Sequence, residues 1–316
     1  MCLDVMSEHR GVLGSAARHA VQSGGKGLRI RTTLLAGAIG GERLDSGRLR
    51  GAAASVELVH LASLVHDDVM DAGSVRRGQP TVNALWGDRI AVLTGDLILA
   101  KAAQLAADVG PRLCAMQAAG LGELVRGQAA ELGAPGGIVS IKQHLDTIRR
   151  KTAMLFMLAV DTGSCVADSD DLISRHLRVW ADNFGIAFQL ADDLRDLMDT
   201  DHLKTGNCDL LNEVPTYPVL HALRADHPSA EELARLLEHA ATLNTQEIRQ
   251  VRTLIESLGG TGAARQAIED HCAAASTALL KLPAQWARDE LLAMRDGLDV
   301  GVRQMARASI AGTATI

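Results

Sequence analysis

Two short acidic clusters, DDVMD at Asp67–Asp71 and DDLRD at Asp192–Asp196, lie far apart in the chain within apolar sequence of helical periodicity. On a helix, aspartates at i, i+1 and i+4 place two carboxylates one turn apart, where like charges repel by roughly a few tenths of a kcal/mol. A bound cation removes that repulsion. A single cluster of this kind is equally consistent with a solvated helix face, but two copies in apolar settings favour cation-binding sites.

The ligand chemistry of the two clusters favours magnesium. Every candidate ligand is a carboxylate, and neither cluster contains histidine or cysteine. Mg²⁺ prefers such hard oxygen ligands, typically keeps several water molecules and bridges to substrate phosphates. The pair of clusters therefore predicts a diphosphate held between them through Mg²⁺.

Composition excludes several other classes of protein. The length of 316 residues and the 47% hydrophobic content suffice for a large core, and the net charge of -6 removes the usual electrostatic basis for nucleic-acid binding. The five cysteines form no CxxC pair, which argues against a disulfide framework or zinc site and makes cytoplasm the simplest localisation. Asp96 interrupts the longest apolar stretch, 90–107, so we expect no transmembrane segment.

The chain is predicted to be almost entirely helical. Alanine and leucine dominate, β-branched runs are short, and apolar residues recur at spacings of three and four. Helical patterns extend over 3–22, 28–39, 45–71, 81–108, 111–131, 140–165, 170–198, 216–225, 229–258, 261–281 and 283–308.

No break between these patterns resembles a domain linker, so we predict a single domain over 1–316 that begins with a short helix at 3–22. The segment 199–215 has little periodicity, carries several charges and follows the second acidic cluster. It is predicted to be a lid loop.

Three basic segments could contact a diphosphate. Gly24–Arg29 precedes a helix, so backbone N–H groups and two side-chain cations can converge on an anion there. Arg76 and Arg77 follow the first acidic cluster by one loop, and arginine binds phosphate oxygens bidentately. Lys151 and Thr152 supply a charge and a hydroxyl within a helix. Taken singly each is weak evidence, since exposed basic loops and lone helical lysines are common.

These segments follow one another in the order of a known family. From Gly24 to Arg303 the chain reads GGKGLRIR, ELVHLASLVHDDVMD, RRGQPT, WGDRIAVLTGD, KTAMLF, FQLADDLRD, TYPV and LPAQWARDELL. In this ordered set it resembles the trans-isoprenyl diphosphate synthases, or polyprenyl synthetases. The resemblance implies the all-α, single-domain isoprenoid synthase fold: a helical bundle around a deep central cavity whose mouth carries both aspartate-rich motifs. It also implies a homodimer.

The resemblance assigns roles to individual positions. It implies about three Mg²⁺ ions per active site, bound by Asp67, Asp68, Asp71, Asp192, Asp193 and Asp196. The first five of these are implied to be catalytic together with Lys151 and Lys204. The allylic diphosphate is implied to bind Arg76, Lys151, Thr152, Gln189 and Lys204, and isopentenyl diphosphate is implied to bind Lys26, Arg29, His60 and Arg77. Without the resemblance, His60 would be read as an ordinary buried polar residue.

The implied reaction is a Mg²⁺-dependent prenyl transfer. Mg²⁺ and cationic side chains stabilise the departing diphosphate, and the double bond of isopentenyl diphosphate attacks the allylic carbocation. Proton loss, with the released diphosphate as the expected base, then gives a longer all-trans polyprenyl diphosphate. Closure of the 199–215 lid would keep water from the carbocation.

The chain also departs from the family pattern. Gly27 stands where an arginine is common, Ile30 where proline is, and Val214 replaces the second lysine of the pattern after the second acidic cluster. Losing one charged hydrogen bond costs about 1.5 to 3 kcal/mol of binding, enough to weaken a substrate but not to abolish ionisation. These departures leave the choice of acceptor open.

Small residues precede the first acidic cluster. Ala62 and Ser63 lie five and four positions before Asp67, where the resemblance implies that bulky aromatic side chains limit product length. Their small size favours a C20 or longer product, although Val56, Val59 or a facing helix can still close the cavity floor.

Three alternative functions remain open. A terpene cyclase usually needs aromatic faces to stabilise migrating cations, and only 2% of this chain is aromatic. A prenyltransferase with a different acceptor is compatible with Gly27 and Val214. A non-catalytic partner subunit commonly lacks aspartates of the two clusters, whereas all six are present here, which favours catalysis.

Overall fold

The computed structural model describes residues 2, 10–41, 45–132, 139–198 and 216–298. Its helices, in chain order, are α1 (Gly11–Gln22), α2 (Leu28–Gly40), α3 (Ser46–Met70), α4 (Val82–Trp86), α5 (Asp88–Val109), α6 (Pro111–Leu132), α7 (Ile141–Ile148), α8 (Met154–Val166), α9 (Asp171–Met198), α10 (Tyr217–Ala222), α11 (Pro228–Leu237), α12 (Thr245–Ser257), α13 (Gly260–Leu279) and α14 (286–298). The predicted all-α class is confirmed.

One feature of regular structure other than helix was not predicted. Strands β1 (Val75–Arg76) and β2 (Gln79–Pro80) form a short antiparallel hairpin, in which Val75 pairs with Pro80 and Arg76 with Gln79. The hairpin follows α3 directly and carries one of the basic segments.

Three predicted helices are interrupted. The predicted helix 81–108 is divided at Gly87, whose φ of 81° lies in the region that glycine adopts readily. The predicted helix 229–258 breaks between α11 and α12, where Ala240–Thr242 forms a 3₁₀ turn. The predicted helix 140–165 contains a π-helical turn, Arg149–Ala153, between α7 and α8. The beginning of the helix predicted at 3–22 and the end of that predicted at 283–308 lie outside the described residues.

The chain divides into two compact units. The first contains the described residues of 1–122, 155–178 and 284–288, and the second contains those of 123–154, 179–283 and 289–316. A single domain over 1–316 stays a prediction.

Helix α3 forms the centre of the first unit. It begins at the Asp45 cap, whose carboxylate accepts hydrogen bonds from the Gly47 and Arg48 N–H groups at 2.8 and 3.1 Å. Most of its side chains are buried, including Leu58 and Ala62. Because α3 is enclosed on nearly all sides, the acidic cluster at its C-terminal end is fixed by a rigid core.

Helices α2 and α8 approach closely in the same unit. A Cβ atom on Gly163 would lie 2.3 Å from the Thr33 carbonyl oxygen and 2.7 Å from the Gly37 nitrogen. Only glycine fits at position 163, and the close approach anchors α2, which carries Arg29.

The second unit has an aromatic and aliphatic core. Trp180 and Phe184 of α9 stack with ring centroids 4.9 Å apart and are fully buried. A separate cluster from α9, α10, α11 and α12 contains Leu197, Val219, Ala222, Leu233, Ile248, Val251 and Ile255. This packing fixes α9, which carries the second acidic cluster.

Candidate active site

The first acidic cluster occupies the C-terminal end of α3. Asp68 is buried, and Asp71 is the exposed C-cap residue. The partial negative charge at a helix C-terminus disfavours each nearby carboxylate by roughly 0.3 to 1 kcal/mol, so a cation at this position is stabilising. Arg76 of β1 supplies one, because its Nε and Nη2 atoms both lie 2.9 Å from Asp68 Oδ1. The structure therefore brings together a predicted metal ligand and a predicted phosphate-binding arginine.

Polar contacts fix the turn between α3 and the hairpin. The Asn83 side-chain amide donates to the Asp68 and Gly73 carbonyl oxygens at 3.2 and 3.0 Å, and the Thr81 hydroxyl donates to the Gly73 carbonyl at 2.8 Å. This turn determines where the hairpin places Arg76. Neither Asn83 nor Thr81 was identified from the sequence.

Arg29 and His60, two of the predicted isopentenyl diphosphate ligands, are in contact. Arg29 Nη1 lies 3.1 Å from His60 Nε2, and the Arg29 guanidinium carbon lies 4.8 Å from the centre of the Phe156 ring. Burial lowers the pKa of Arg29 to about 10, so it remains charged at neutral pH. Burial, with help from Arg29 and Arg77, holds the pKa of His60 well below 6.5. His60 is therefore neutral, and its Nε2 can accept the hydrogen bond from Arg29.

Arg77 lies against the glycine-rich loop before α2. A Cβ atom on Gly25 would lie 2.7 Å from both terminal nitrogens of the Arg77 guanidinium group. Arg77 Nη1 also donates to the Ser23 carbonyl oxygen at 3.4 Å. Gly25 thus allows Arg77 to approach the loop that carries the exposed Lys26. The four predicted isopentenyl diphosphate ligands belong to one unit.

Gly27, which departs from the family pattern, has a structural role. Its φ of 62° and ψ of 33° lie in the left-handed region, and it is the N-cap of α2. A Cβ atom on Gly27 would meet no described heavy atom within 4 Å, so the space is open. The backbone conformation nevertheless disfavours any other side chain at this position.

Glu57 was missed by the sequence analysis. It is 6% exposed on α3, and burial raises the pKa of its carboxyl group, opposed by the charge of Arg29 and by a hydrogen bond from the Ile30 N–H. An acidic residue within the apolar stretch of α3, three positions before His60, was the available signal. Glu57 balances part of the positive charge of the cations around Arg29.

Neutral side chains hold Asp193, the buried aspartate of the second acidic cluster. The Gln189 amide donates to Asp193 Oδ1 at 2.8 Å, and the Thr152 hydroxyl donates to Gln189 Oε1 at 2.7 Å. Asp193 is buried, whereas Asp192 is exposed and accepts a hydrogen bond from Arg195 at 2.5 Å. Three residues that the resemblance singled out, on two segments of the chain, therefore form one hydrogen-bonded chain.

Lys151 lies in the π-helical turn and forms an ion pair with Glu131 of α6. A Cβ atom on Gly127 would lie 3.0 Å from Arg150 Cβ and 3.1 Å from the Lys151 nitrogen, so α6 and the π-helical turn pack tightly. Single π-helical turns occur often at functional sites because they redirect side chains within a helix. Glu131 carried no sequence signal, since its partner is distant along the chain.

The remaining predicted site residues are Lys204, which lies in the predicted lid, and the small residues Ala62 and Ser63. Lys204 and the proposed lid, 199–215, lie outside the described residues. Ala62 is fully buried, and the half-buried Ser63 donates its hydroxyl to the His60 carbonyl at 2.8 Å. The pocket beside Asp68 and Arg76 is not lined by either small residue. Their predicted role in product length stays a prediction.

The donor set at the two clusters fits a hard divalent cation, because it consists of carboxylates alone. Within the described ranges, no three His, Cys, Asp or Glu side chains gather in a group that could hold a metal ion. A hard divalent cation bound by the carboxylates of one cluster would keep coordination positions for water and phosphate oxygens.

Comparison with known proteins assigns the class. Residues 10–256 match the family model for polyprenyl synthetases. A nonaprenyl diphosphate synthase of Mycobacterium tuberculosis is 34% identical over 90% of this chain and 85% of its own length. Component 2 of the heptaprenyl diphosphate synthase of Geobacillus stearothermophilus is 36% identical over 72% of this chain and 71% of its own.

Solved structures of polyprenyl synthases share the fold of this chain. A decaprenyl diphosphate synthase from Rhodobacter capsulatus superimposes with a TM-score of 0.88 at 29% identity, covering 95% of this chain and 94% of that one. A polyprenyl synthase from Caulobacter crescentus, solved with calcium and isoprenyl diphosphate, gives 0.86 at 29% identity and covers 95% and 92%. The fold is thus the all-α isoprenoid synthase fold. The chain belongs to the polyprenyl synthetase family and is an enzyme that transfers prenyl groups.

Proposed function

We propose that this enzyme condenses isopentenyl diphosphate with an allylic diphosphate to form a longer all-trans polyprenyl diphosphate. The observation that carries the proposal is the contact between half-buried, charged Arg29 and neutral His60, near Arg77, in the same unit as the first acidic cluster. Because Arg29 and Arg77 are already close together without substrate, they can bind the diphosphate of a second substrate in addition to the allylic one. A terpene cyclase has no use for such a site.

Each group has a role in the proposed reaction. Asp67, Asp68 and Asp71, and Asp192, Asp193 and Asp196, would hold Mg²⁺, which supplies charge stabilisation for the departing diphosphate. Arg76 and Lys151 would bind allylic phosphate oxygens, exchanging their present partners Asp68 and Glu131 for substrate. Arg29, Arg77 and Lys26 would orient isopentenyl diphosphate so that its double bond faces the allylic carbon.

Product length is proposed to be C20 or longer. Ala62 and Ser63 leave more volume before the first cluster than aromatic residues would. Relatives named as nonaprenyl and heptaprenyl diphosphate synthases are consistent with a long product. Chromatography of the labelled product tests this proposal, and a C15 limit would contradict it.

Helix α5 supports a proposed homodimer. By length and composition it is apolar enough to cross a membrane, as the core helices of soluble proteins often are, and only 33% of its most apolar 18-residue stretch is buried. Val92 and Leu93 are 42% and 51% exposed, and Leu85 of the preceding α4 is 47% exposed. A second copy that covers this surface in the cytoplasm would explain its composition.

A heteromeric arrangement is the second candidate. Two relatives are named as component 2 of a heptaprenyl diphosphate synthase. This chain retains all six aspartates, so it would be the catalytic component of such a pair. Purified chain that is inactive alone but active with a partner subunit would support this candidate over the homodimer.

The direct test uses purified protein, Mg²⁺, labelled isopentenyl diphosphate and an allylic diphosphate. We expect the double variant Asp67→Ala/Asp68→Ala to lose diphosphate release, and the exposed Asp226→Ala variant to retain it. Omitting isopentenyl diphosphate separates this reaction from cyclisation, which needs no second substrate. Unchanged turnover by the double variant would exclude the proposed site.

A further inference from the structure

Asp193 is fixed at one oxygen by neutral side chains. Gln189 donates to Oδ1 at 2.8 Å, and Thr152 holds Gln189 by donating to its carbonyl oxygen at 2.7 Å. These bonds restrain Oδ1 but leave rotation of the carboxylate about that contact. The direction of the carboxylate therefore depends on what faces Oδ2.

His144 of α7 faces Oδ2. Its Nε2 atom lies 3.8 Å from Asp193 Oδ2, and the side chains of His144 and Asp193 are 12% and 6% exposed. This distance is too long for a hydrogen bond. His144 Nε2 is buried and has no hydrogen-bond partner in the part of the chain that the structure describes. Buried polar atoms are nearly always paired, so the gap requires an explanation.

Local sequence fixes the position of His144. Ser140 and Gln143 form a capping box, in which the Gln143 N–H donates to Ser140 Oγ at 3.1 Å and the Ser140 N–H donates to Gln143 Oε1 at 2.8 Å. The His144 N–H then donates to the Ser140 carbonyl at 3.0 Å. His144 therefore lies in the first turn of a capped helix, which fixes its backbone.

We propose that His144 is a positioning residue for Asp193, an inference that rests on the proposed function. With its proton on Nε2, His144 donates to Asp193 Oδ2 when substrate binding shortens the present 3.8 Å separation. Hydrogen bonds in substrate-free active sites are often long and shorten in the complex. Gln189 and His144 then hold the two carboxylate oxygens, and the remaining lone pairs point in a fixed direction toward the cation.

The role is distinct from that of a ligand. Partners that orient a metal-binding carboxylate typically change metal affinity or activity by about 10- to 100-fold when they are removed. His144 was not singled out by the sequence analysis, because a lone histidine in an amphipathic helix has no distinguishing pattern. Its contact with Asp193 joins positions that are distant along the chain.

The test compares His144→Phe, which cannot donate a hydrogen bond, with His144→Asn, which can. The half-buried His176→Phe variant is the matched control. The melting temperature of the enzyme is measured at increasing concentrations of inorganic pyrophosphate with the Mg²⁺ concentration held constant. We expect the concentration for half of the thermal shift to rise about tenfold in His144→Phe, with smaller changes, below about threefold, in His144→Asn and none in His176→Phe.

Steady-state kinetics supply a second readout. The KM for isopentenyl diphosphate should stay within about twofold of wild type in all variants, because its proposed ligands are in the other unit. The inference would be overturned if His144→Phe needed the same pyrophosphate concentration as wild type for half of the thermal shift. It would also be overturned if His144→Asn needed as high a concentration as His144→Phe. If His144→Phe does not fold, His144→Ala replaces it as the variant without a donor.

The pyrophosphate measurement involves no turnover. Absence of condensation by the wild-type enzyme, both alone and with a partner subunit, would reject the proposed function, whereas the thermal shift tests the role of His144 separately. The two failures are therefore distinguishable.

Discussion

The buried aspartates of the two acidic clusters, Asp68 and Asp193, are held by different kinds of partner. In the first, Asp68 is paired with the cation Arg76, which lies on a hairpin. In the second, Asp193 accepts a hydrogen bond from neutral Gln189, itself held by Thr152. A cationic partner offsets the carboxylate charge, but an amide leaves it in place. If both aspartates bind a cation, as we propose, Asp193 is expected to depend on it more strongly than Asp68 does.

The difference between the partners of Asp68 and Asp193 suggests that the two aspartates have separate roles when substrate binds. Arg76 can exchange Asp68 for a substrate phosphate, so the first cluster is suited to respond to binding. Thr152 and Gln189 carry no charge to exchange, so their hydrogen bonds are suited to hold Asp193 in one geometry. Asp193→Asn tests this contrast directly, and two substitutions and the pH dependence test the cation-rich region around Arg29 and Arg77 in the first unit. The expected effects decrease in that order.

Asp193→Asn should have the largest effect. It keeps the shape of the side chain but removes a charge whose hydrogen-bond donor, Gln189, is neutral. We expect kcat/KM to fall about 1000-fold, roughly 4 kcal/mol. The condensation assay with Asp226→Ala as the exposed control measures this. A loss below tenfold would mean that the second cluster does not bind the reacting diphosphate.

Arg29→Met should act on one substrate only. Arg29 is half-buried and in contact with His60, and losing a charged contact costs about 1.5 to 3 kcal/mol. We expect the KM for isopentenyl diphosphate to rise about 100-fold, while the KM for the allylic substrate changes little. An equal rise in both KM values would contradict the assignment of Arg29 to the isopentenyl site.

Gly25→Ala should have a smaller effect of the same kind. The added Cβ would lie 2.7 Å from the Arg77 guanidinium nitrogens and would displace that flexible side chain. We expect the KM for isopentenyl diphosphate to rise about tenfold, roughly 1.4 kcal/mol. Gly51→Ala is the control, because no described heavy atom lies within 4 Å of its Cβ position. A normal KM in Gly25→Ala would show that Arg77 does not need this loop.

The pH dependence should be the smallest effect near neutrality. Burial lowers the pKa of Arg29 to about 10, so Arg29 is charged below that pH and loses its proton above it. His60 stays neutral at and above neutral pH, because its pKa is held well below 6.5. These two groups should leave the KM for isopentenyl diphosphate unchanged from about pH 7 to 9 and raise it above about pH 10. A marked rise in KM between pH 7 and 9 would contradict this.

Sequence periodicity predicted the helices because apolar residues recur along the chain with the 3.6-residue period of an α-helix. It missed the π-helical turn at Arg149–Ala153, since the residues there are compatible with an ordinary helix. It also missed the break at Gly87, where a single glycine within apolar sequence gave too weak a signal. Local patterns define helices better than they define the interruptions that redirect functional side chains.

The candidate site was predictable where residue types form an ordered set of motifs. Arg29, His60, Arg76 and Asp68 came from that set, and the structure brings them into pairs. Glu57, Glu131 and His144 were missed because their contacts join positions far apart in sequence or lack a motif. The partners of a functional residue are a property of the folded chain.

Both acidic clusters are proposed to bind divalent cations that share one diphosphate. The most direct test is a crystal structure with Mn²⁺, isopentenyl diphosphate and an unreactive thio-analogue of the allylic substrate. We expect anomalous peaks beside Asp67–Asp71 and beside Asp192–Asp193, all contacting the allylic diphosphate. Cations at one cluster alone, or two clusters that bind different phosphate groups, would contradict this shared binding.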